Sequence, residues 1–164
     1  MLEQQEALLT VEDRLRELGL DLPAVAPALA TYVPAVQTGD YAYTSGQLPL
    51  IEGKLEKSGK VGAQAGYVTT EEAAALARQC VLNGLAAIKA LVGSLDRIER
   101  IVKVTGFVAS DPSFTQQHLV LNGASELLGS IFGDRGTHAR SAVGVAVLPL
   151  DAPVEVELFV SVKD

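Results

Sequence analysis

A chain of 164 residues with one cysteine, no tryptophan and a formal net charge of −7 is long enough to bury roughly 70% of its unfolded surface as one domain, without a disulfide or a metal. The lone cysteine excludes an internal disulfide framework and a cysteine-rich zinc site, and the acidic balance disfavours sequence-independent binding to nucleic acid. No uninterrupted apolar run reaches the roughly 18 residues of a membrane span, and the opening MLEQQEALLTVEDRL is unlike a signal or transit peptide, so a cytoplasmic protein with no membrane partner is expected.

The segment TVEDRLRELGL predicts a short helix, with Thr10 capping against Asp13 and Gly19 closing the last turn. Pro23, Pro27 and Pro34 keep the chain extended after it, so 1–30 reads as an N-terminal helix and lead-in to a single domain over 1–164. Two short strands between Val33 and Leu50 meet at Gly39-Asp40, with Tyr41, Tyr43 and Ser45 on one face and Ala42, Thr44 and Gly46 on the other. IEGKLEKSGKVGAQAGYV sustains no period and reads as a flexible loop. Thr69 and Glu72 then make a capping box for a long helix whose apolar stripe is Ala73, Leu76, Cys80, Ile88 and Leu91.

DRIERIVKVTGFVAS predicts a strand burying Ile101, Val104 and Phe107. A second long helix is expected to open at Asp111-Pro112 and end at Gly133. Two final strands, roughly 139–148 and 154–162, flank the turn PLDAP. The order β-β-α-β-α-β-β predicts an α+β fold, a mixed sheet with both long helices on one face. In the last strand Val154, Val156, Leu158, Val160 and Val162 alternate with Glu155, Glu157, Phe159 and Ser161, so the second face needs a cover that oligomerisation would supply.

Signatures of nucleophile elbows, P-loops, HExxH zinc sites and dinucleotide-binding turns are absent from the sequence. His118 and His138 read as surface or loop residues, and no metal site is expected of them. Cys80, on the apolar helix face, reads as a buried inert thiol. Arg140 is the unusual residue. A guanidinium at the mouth of an apolar strand costs several kcal/mol unless it is paired or faces a cavity. It therefore either pairs with Glu155 or Glu157 on the next strand or grips a small carboxylate with two parallel hydrogen bonds.

YVPAVQTGDYAYTSGQLPL, VKVTGFV and ARSAVGVAVLPLDAPVEVE, in this order, resemble the signatures of the RidA (YjgF) family of reactive intermediate deaminases, also known as endoribonuclease L-PSP or translation inhibitor proteins. The resemblance runs from about Tyr32 to the C-terminus. It implies a chorismate-mutase-like fold assembled as a homotrimer, with its sheets facing inward as a barrel and active sites between subunits. It also implies hydrolysis of 2-imino acids to 2-oxo acids and ammonia, as by a 2-iminobutanoate/2-iminopropanoate deaminase, with no cofactor. By motif, Arg140 is the carboxylate-binding arginine and Glu155 the water-positioning glutamate, with Glu157 as its alternative. Tyr32, Ser45 and Asn122 match further substrate-binding positions. The sequence departs from the family pattern at Ala142, often cysteine, and at Gly144, where a glutamate can stand. TQQHL appears as added length before Asn122. A carboxylate-binding regulator without turnover and an endoribonuclease are the alternative functions.

Overall fold

The computed structural model describes residues 9–25, 27 and 30–164, so part of the expected lead-in lies outside the described residues. Helix α1 (Val11–Glu17) is closed at both ends by its sequence. Thr10 and Asp13 form a reciprocal capping box, and Gly19, at φ +69°, allows Gly19 N–H to reach Arg16 O and Leu20 N–H to reach Leu15 O, the two bonds of a Schellman stop. Val11 and Leu15 are buried. The Asp96 carboxylate accepts from Val11 N–H at 2.8 Å, which ties α1 to the rest of the domain.

A five-stranded sheet in the order β1-β2-β7-β5-β6 carries the domain. Its strands are β1 (Ala35–Thr38), β2 (Tyr41–Thr44), β5 (Ile98–Ala109), β6 (Ala139–Val145) and β7 (Val154–Val162). β5 and β6 are parallel and the other pairs antiparallel. Helices α2 (Thr70–Val92) and α3 (Gln117–Phe132) cover one face, which is the expected α+β, chorismate-mutase-like architecture. The β1–β2 hairpin turns at Gly39-Asp40 as expected, with Gly39 at φ +57°.

The loop expected over 51–68 is more ordered than its composition predicts. A second small hairpin joins β3 (Leu50–Ile51) to β4 (Lys54–Leu55), turning through Glu52 and Gly53 at φ +50° and +78°. Val61 bridges Val68 and Ser110 and is fully buried. Strands of two residues are too short to display a period, so pattern reading passes over them.

In α2 the Thr69–Glu72 capping box forms. Its buried stripe runs through Ala73, Leu76, Cys80, Leu85, Ile88 and Val92, while Leu91, expected in it, is 39% exposed. By length and composition α2 is apolar enough to cross a membrane, although Arg78, Gln79 and Lys89 interrupt its apolar run. Here that apolar surface is core. Helix α3 starts at Gln117, later than expected. The Asp111 carboxylate instead accepts from Ser113 N–H, and Asp111 O from Phe114 N–H, making a turn before the helix. Gly133, at φ +58°, ends it.

β7 alternates as expected: Val154, Val156, Leu158, Val160 and Val162 are buried under the helices. On β5, irregularities between Ile98/Arg100 and Ile101/Lys103 shift the alternation, so Val104, Gly106 and Val108 face the core and Phe107 the open side. That corrects the expectation for Phe107, which followed a spacing of three that only the irregular part of the strand can accommodate. The open face carries an apolar patch. Val36, Tyr41, Tyr43 and Val143 are exposed on it, with Tyr43 stacked on Phe159 at 4.5 Å between ring centroids and Tyr41 tilted against it at 5.3 Å.

Candidate functional site

Arg140 stands opposite Val104 on the parallel β5–β6 ladder. Val104 pairs with Leu158, and both are buried beneath the helices, so Arg140 projects to the helical side, where α3 crosses. Its Nη1 donates to Asn122 Oδ1 at 3.0 Å and Ser125 Oγ at 3.2 Å. These acceptors are three residues apart on α3 and thus share a face. They occupy both hydrogens of Nη1. Among the described residues no acceptor meets Nε or Nη2, so the guanidinium keeps open the edge whose two parallel N–H groups match a carboxylate. The ion pair with Glu155 or Glu157, one of the two readings of Arg140, does not form, because β7 aims both glutamates at the opposite face of the sheet.

The acceptor Ser125 is itself held. Its Oγ lies 2.9 Å from His138 Nε2, and His138 Nδ1 lies 2.6 Å from Gly136 O. His138, read from the sequence as a loop or surface residue, is half-buried and engaged at both ring nitrogens, whereas His118 is exposed on α3. Ser125, Gly129, Gly136, Thr137, His138 and Arg140 line a cavity of about 310 Å³.

Glu155 pairs with Phe107 on the other side of the sheet. Its carboxylate lies over Gly46, where a side chain would collide with it: a Cβ there would stand 1.7 Å from Glu155 Oε1. Burial first, then the neighbouring Glu157 carboxylate, hold the Glu155 carboxyl above the usual glutamate range. Next to Gly46, Ser45 Oγ donates to Val33 O at 2.6 Å and Ser45 N–H to Pro34 O. Ser45 thereby fastens the segment that carries Tyr32, which is 52% exposed and lies before β1.

A group whose ionised form the fold disfavours weakens the protein only once it ionises. Below the ordinary glutamate value both folded and unfolded chains carry the proton, and the cost grows as pH rises through the raised value. Glu155→Gln is therefore expected to melt above the parent protein near pH 7, with the advantage fading as pH falls toward about 4. Thermal denaturation across that range checks it, and a constant difference at all pH values would show that ionisation is not the cause.

The predicted site residues thus fall into two groups. Arg140 and Asn122 meet on the helical side, and Glu155 lies on the open side beside Gly46, next to Ser45 and the segment that carries Tyr32. Ser125 and His138 were not singled out as partners of Arg140. The only trace of Ser125 in the sequence is its spacing of three from Asn122. The two departures from the family pattern also acquire a physical setting. Ala142 packs against the core, and the space a side chain would take at Gly144 holds the Gln117 amide, 2.7 Å from where a Cβ would be. Gln117 donates to Phe114 O and Ser110 Oγ and comes from the added TQQHL segment. Cys80 is buried, its thiol held well above its usual range chiefly by loss of solvent, in keeping with an inert group.

Comparison with known proteins places these features in a lineage. Residues 12–162 match the family model described as YjgF/chorismate mutase-like, a description that also carries the word endoribonuclease. Protein TCP17 of Trypanosoma cruzi is 44% identical over 155 residues, 94% of this chain and 95% of that protein. The crystal structure of Atu1372 from Agrobacterium tumefaciens, a protein described as of unknown function, superposes with a TM-score of 0.84 at 44% identity over 93% of this chain and 92% of that one. TdcF of E. coli, crystallised with bound serine, superposes with a TM-score of 0.55 at 26% identity, over 88% of this chain and 96% of that one.

Proposed function

The chain belongs to the YjgF/chorismate mutase-like family, and from that premise we propose that it hydrolyses small reactive 2-imino acids of the 2-aminoacrylate type to 2-oxo acids and ammonia, working as a homotrimer. The observation that carries this reading is the guanidinium of Arg140, fixed through Nη1 with its Nε/Nη2 edge open. Such an edge binds a carboxylate in a geometry lysine cannot supply. The serine bound to TdcF supports a ligand of this size, with a carboxylate next to a nitrogen-bearing carbon.

In the proposed reaction Arg140 holds the substrate carboxylate, and Glu155 takes a proton from water as the water oxygen adds to the imine carbon. Returning a proton to nitrogen lets ammonia leave and the carbonyl form. Burial, and then the neighbouring Glu157, raise the Glu155 carboxyl above the usual glutamate range, which makes its ionised form a better proton acceptor than an exposed glutamate. Since imines already hydrolyse in water, orientation of water and substrate supplies much of the acceleration.

Arg140 and Glu155 project from opposite faces of one sheet, so a site using both needs two chains. The apolar open face around Tyr41, Tyr43 and Phe159 supports burial against further copies. In the proposed trimer the Arg140–Asn122 half of one subunit meets the Glu155–Ser45–Tyr32 half of its neighbour.

The test is ammonia release from a 2-imino acid generated in place by an amino acid oxidase. At least a tenfold acceleration over the spontaneous rate is expected, and a rate equal to the spontaneous one would remove the enzymatic reading. The TdcF–serine complex also favours a second reading, ligand binding without turnover. It predicts thermal stabilisation by pyruvate with no faster ammonia release. Ribonuclease chemistry by paired histidines has little support, because His118 is exposed on α3 while His138 has both nitrogens engaged.

A further inference from the structure

The hydrogen bonds behind Arg140 have a direction that follows from their acceptors. Gly136 O can only accept, so His138 Nδ1 carries the hydrogen of that 2.6 Å bond. In the neutral imidazole, Nε2 is then a bare lone pair. Ser125 must donate its hydroxyl to it across 2.9 Å, and the Ser125 oxygen is left to accept from Arg140 Nη1 at 3.2 Å. The chain therefore reads Arg140 to Ser125 to His138 to Gly136 O, every donor pointing away from the open guanidinium edge. With the other imidazole tautomer, Ser125 could not donate to Nε2, and its hydroxyl would be free to turn toward Arg140 or the ligand.

We propose that His138, acting through Ser125, is a positioning residue of this site, whose fixed tautomer orients the Arg140 guanidinium for bidentate capture of a carboxylate. The inference rests on the carboxylate-clamp reading given above and extends it to Ser125, which touches Arg140 from behind, and to His138, which touches Ser125. Asn122 holds one hydrogen of Nη1 and Ser125 the other, so losing Ser125 frees the guanidinium to rotate about its remaining anchor. The consequence is selective: affinity for a carboxylate falls, and affinity for a neutral analogue of the same shape does not.

The experiment measures binding of pyruvate and of pyruvamide to the parent protein, Arg140→Ala, Ser125→Ala, Ser125→Thr and His138→Gln. Alanine is favourable within a helix, so Ser125→Ala keeps α3 intact. Ser125→Ala is expected to raise the Kd for pyruvate about tenfold, with a smaller rise in His138→Gln, recovery in Ser125→Thr, and pyruvamide affinity unchanged throughout. Nitrogen-15 shifts of the His138 ring in the parent protein are expected to show hydrogen on Nδ1. An equal loss for both ligands, hydrogen on Nε2, or unaltered pyruvate binding in Ser125→Ala beside its loss in Arg140→Ala overturns the positioning role and leaves the clamp standing. Pyruvate binding retained in Arg140→Ala overturns the clamp, and this inference with it.

Discussion

Arg140→Ala is expected to reduce turnover of 2-imino acids, as kcat/KM, by on the order of 10²–10³-fold, because removing one partner of a hydrogen-bonded charge pair costs about 2–5 kcal/mol. Stability should change little. The groups left behind, Asn122 Oδ1 and Ser125 Oγ, belong to partly exposed side chains beside an open cavity, where water can replace the lost donor. Arg140→Lys tests the geometry of the pair separately from its charge. Lysine keeps the cation but offers no planar fork, so it should recover only a small part of the activity. Steady-state kinetics of the two variants, with melting curves as the control, decide the matter. Full activity in Arg140→Ala would eliminate the mechanism, and full activity in Arg140→Lys would reduce the arginine to a point charge.

Gly123→Ala should produce the largest loss of stability from a single methyl group. Gly123 faces α2 so closely that a Cβ would stand 2.2 Å from Ala74 O and 3.1 Å from Ala74 Cα. The obstacle is backbone, which cannot rotate aside as a side chain can, so the two helices must separate. Overpacking of this kind costs about 1–3 kcal/mol, or a fall of roughly 3–10 °C in Tm for a chain this long. Gly129, on the same helix with nothing within 4 Å of its Cβ position, is the contrast. Gly129→Ala should be neutral or stabilising by up to about 1 kcal/mol. Similar melting temperatures for the two variants would show that α2 and α3 have more freedom than their packing implies.

The separation between what could and could not be read from sequence follows the range of the interactions. Capping at Thr10 and Thr69, the turn at Gly39 and the alternation of β7 are set by residues within a few positions of one another, and the structure has them as expected. The β3–β4 hairpin, the late start of α3 and the orientation of Phe107 depend on tertiary pairing. For the site, the family resemblance pointed to Arg140, Asn122 and Glu155. It offered no sign that Ser125 and His138 stand behind the arginine, since that meeting depends on how α3 lies across the start of β6. Asn122-Gly123, which can be read as a turn, is the middle of a helix. The glycine is there for close packing, and the asparagine beside it is consequently held in place to accept from Arg140.

The placement of Arg140 and Glu155 on opposite faces of a single sheet bears on how such a protein would behave in a mixed population. In the proposed ring each molecule carries the front of one site and the back of another, and neither belongs to it alone. A molecule damaged only at Arg140 could still lend its glutamate to an intact neighbour, and one damaged only at Glu155 could lend its arginine. Two defective versions of this chain could therefore repair each other by assembling, and dilution to single molecules would silence even an undamaged one.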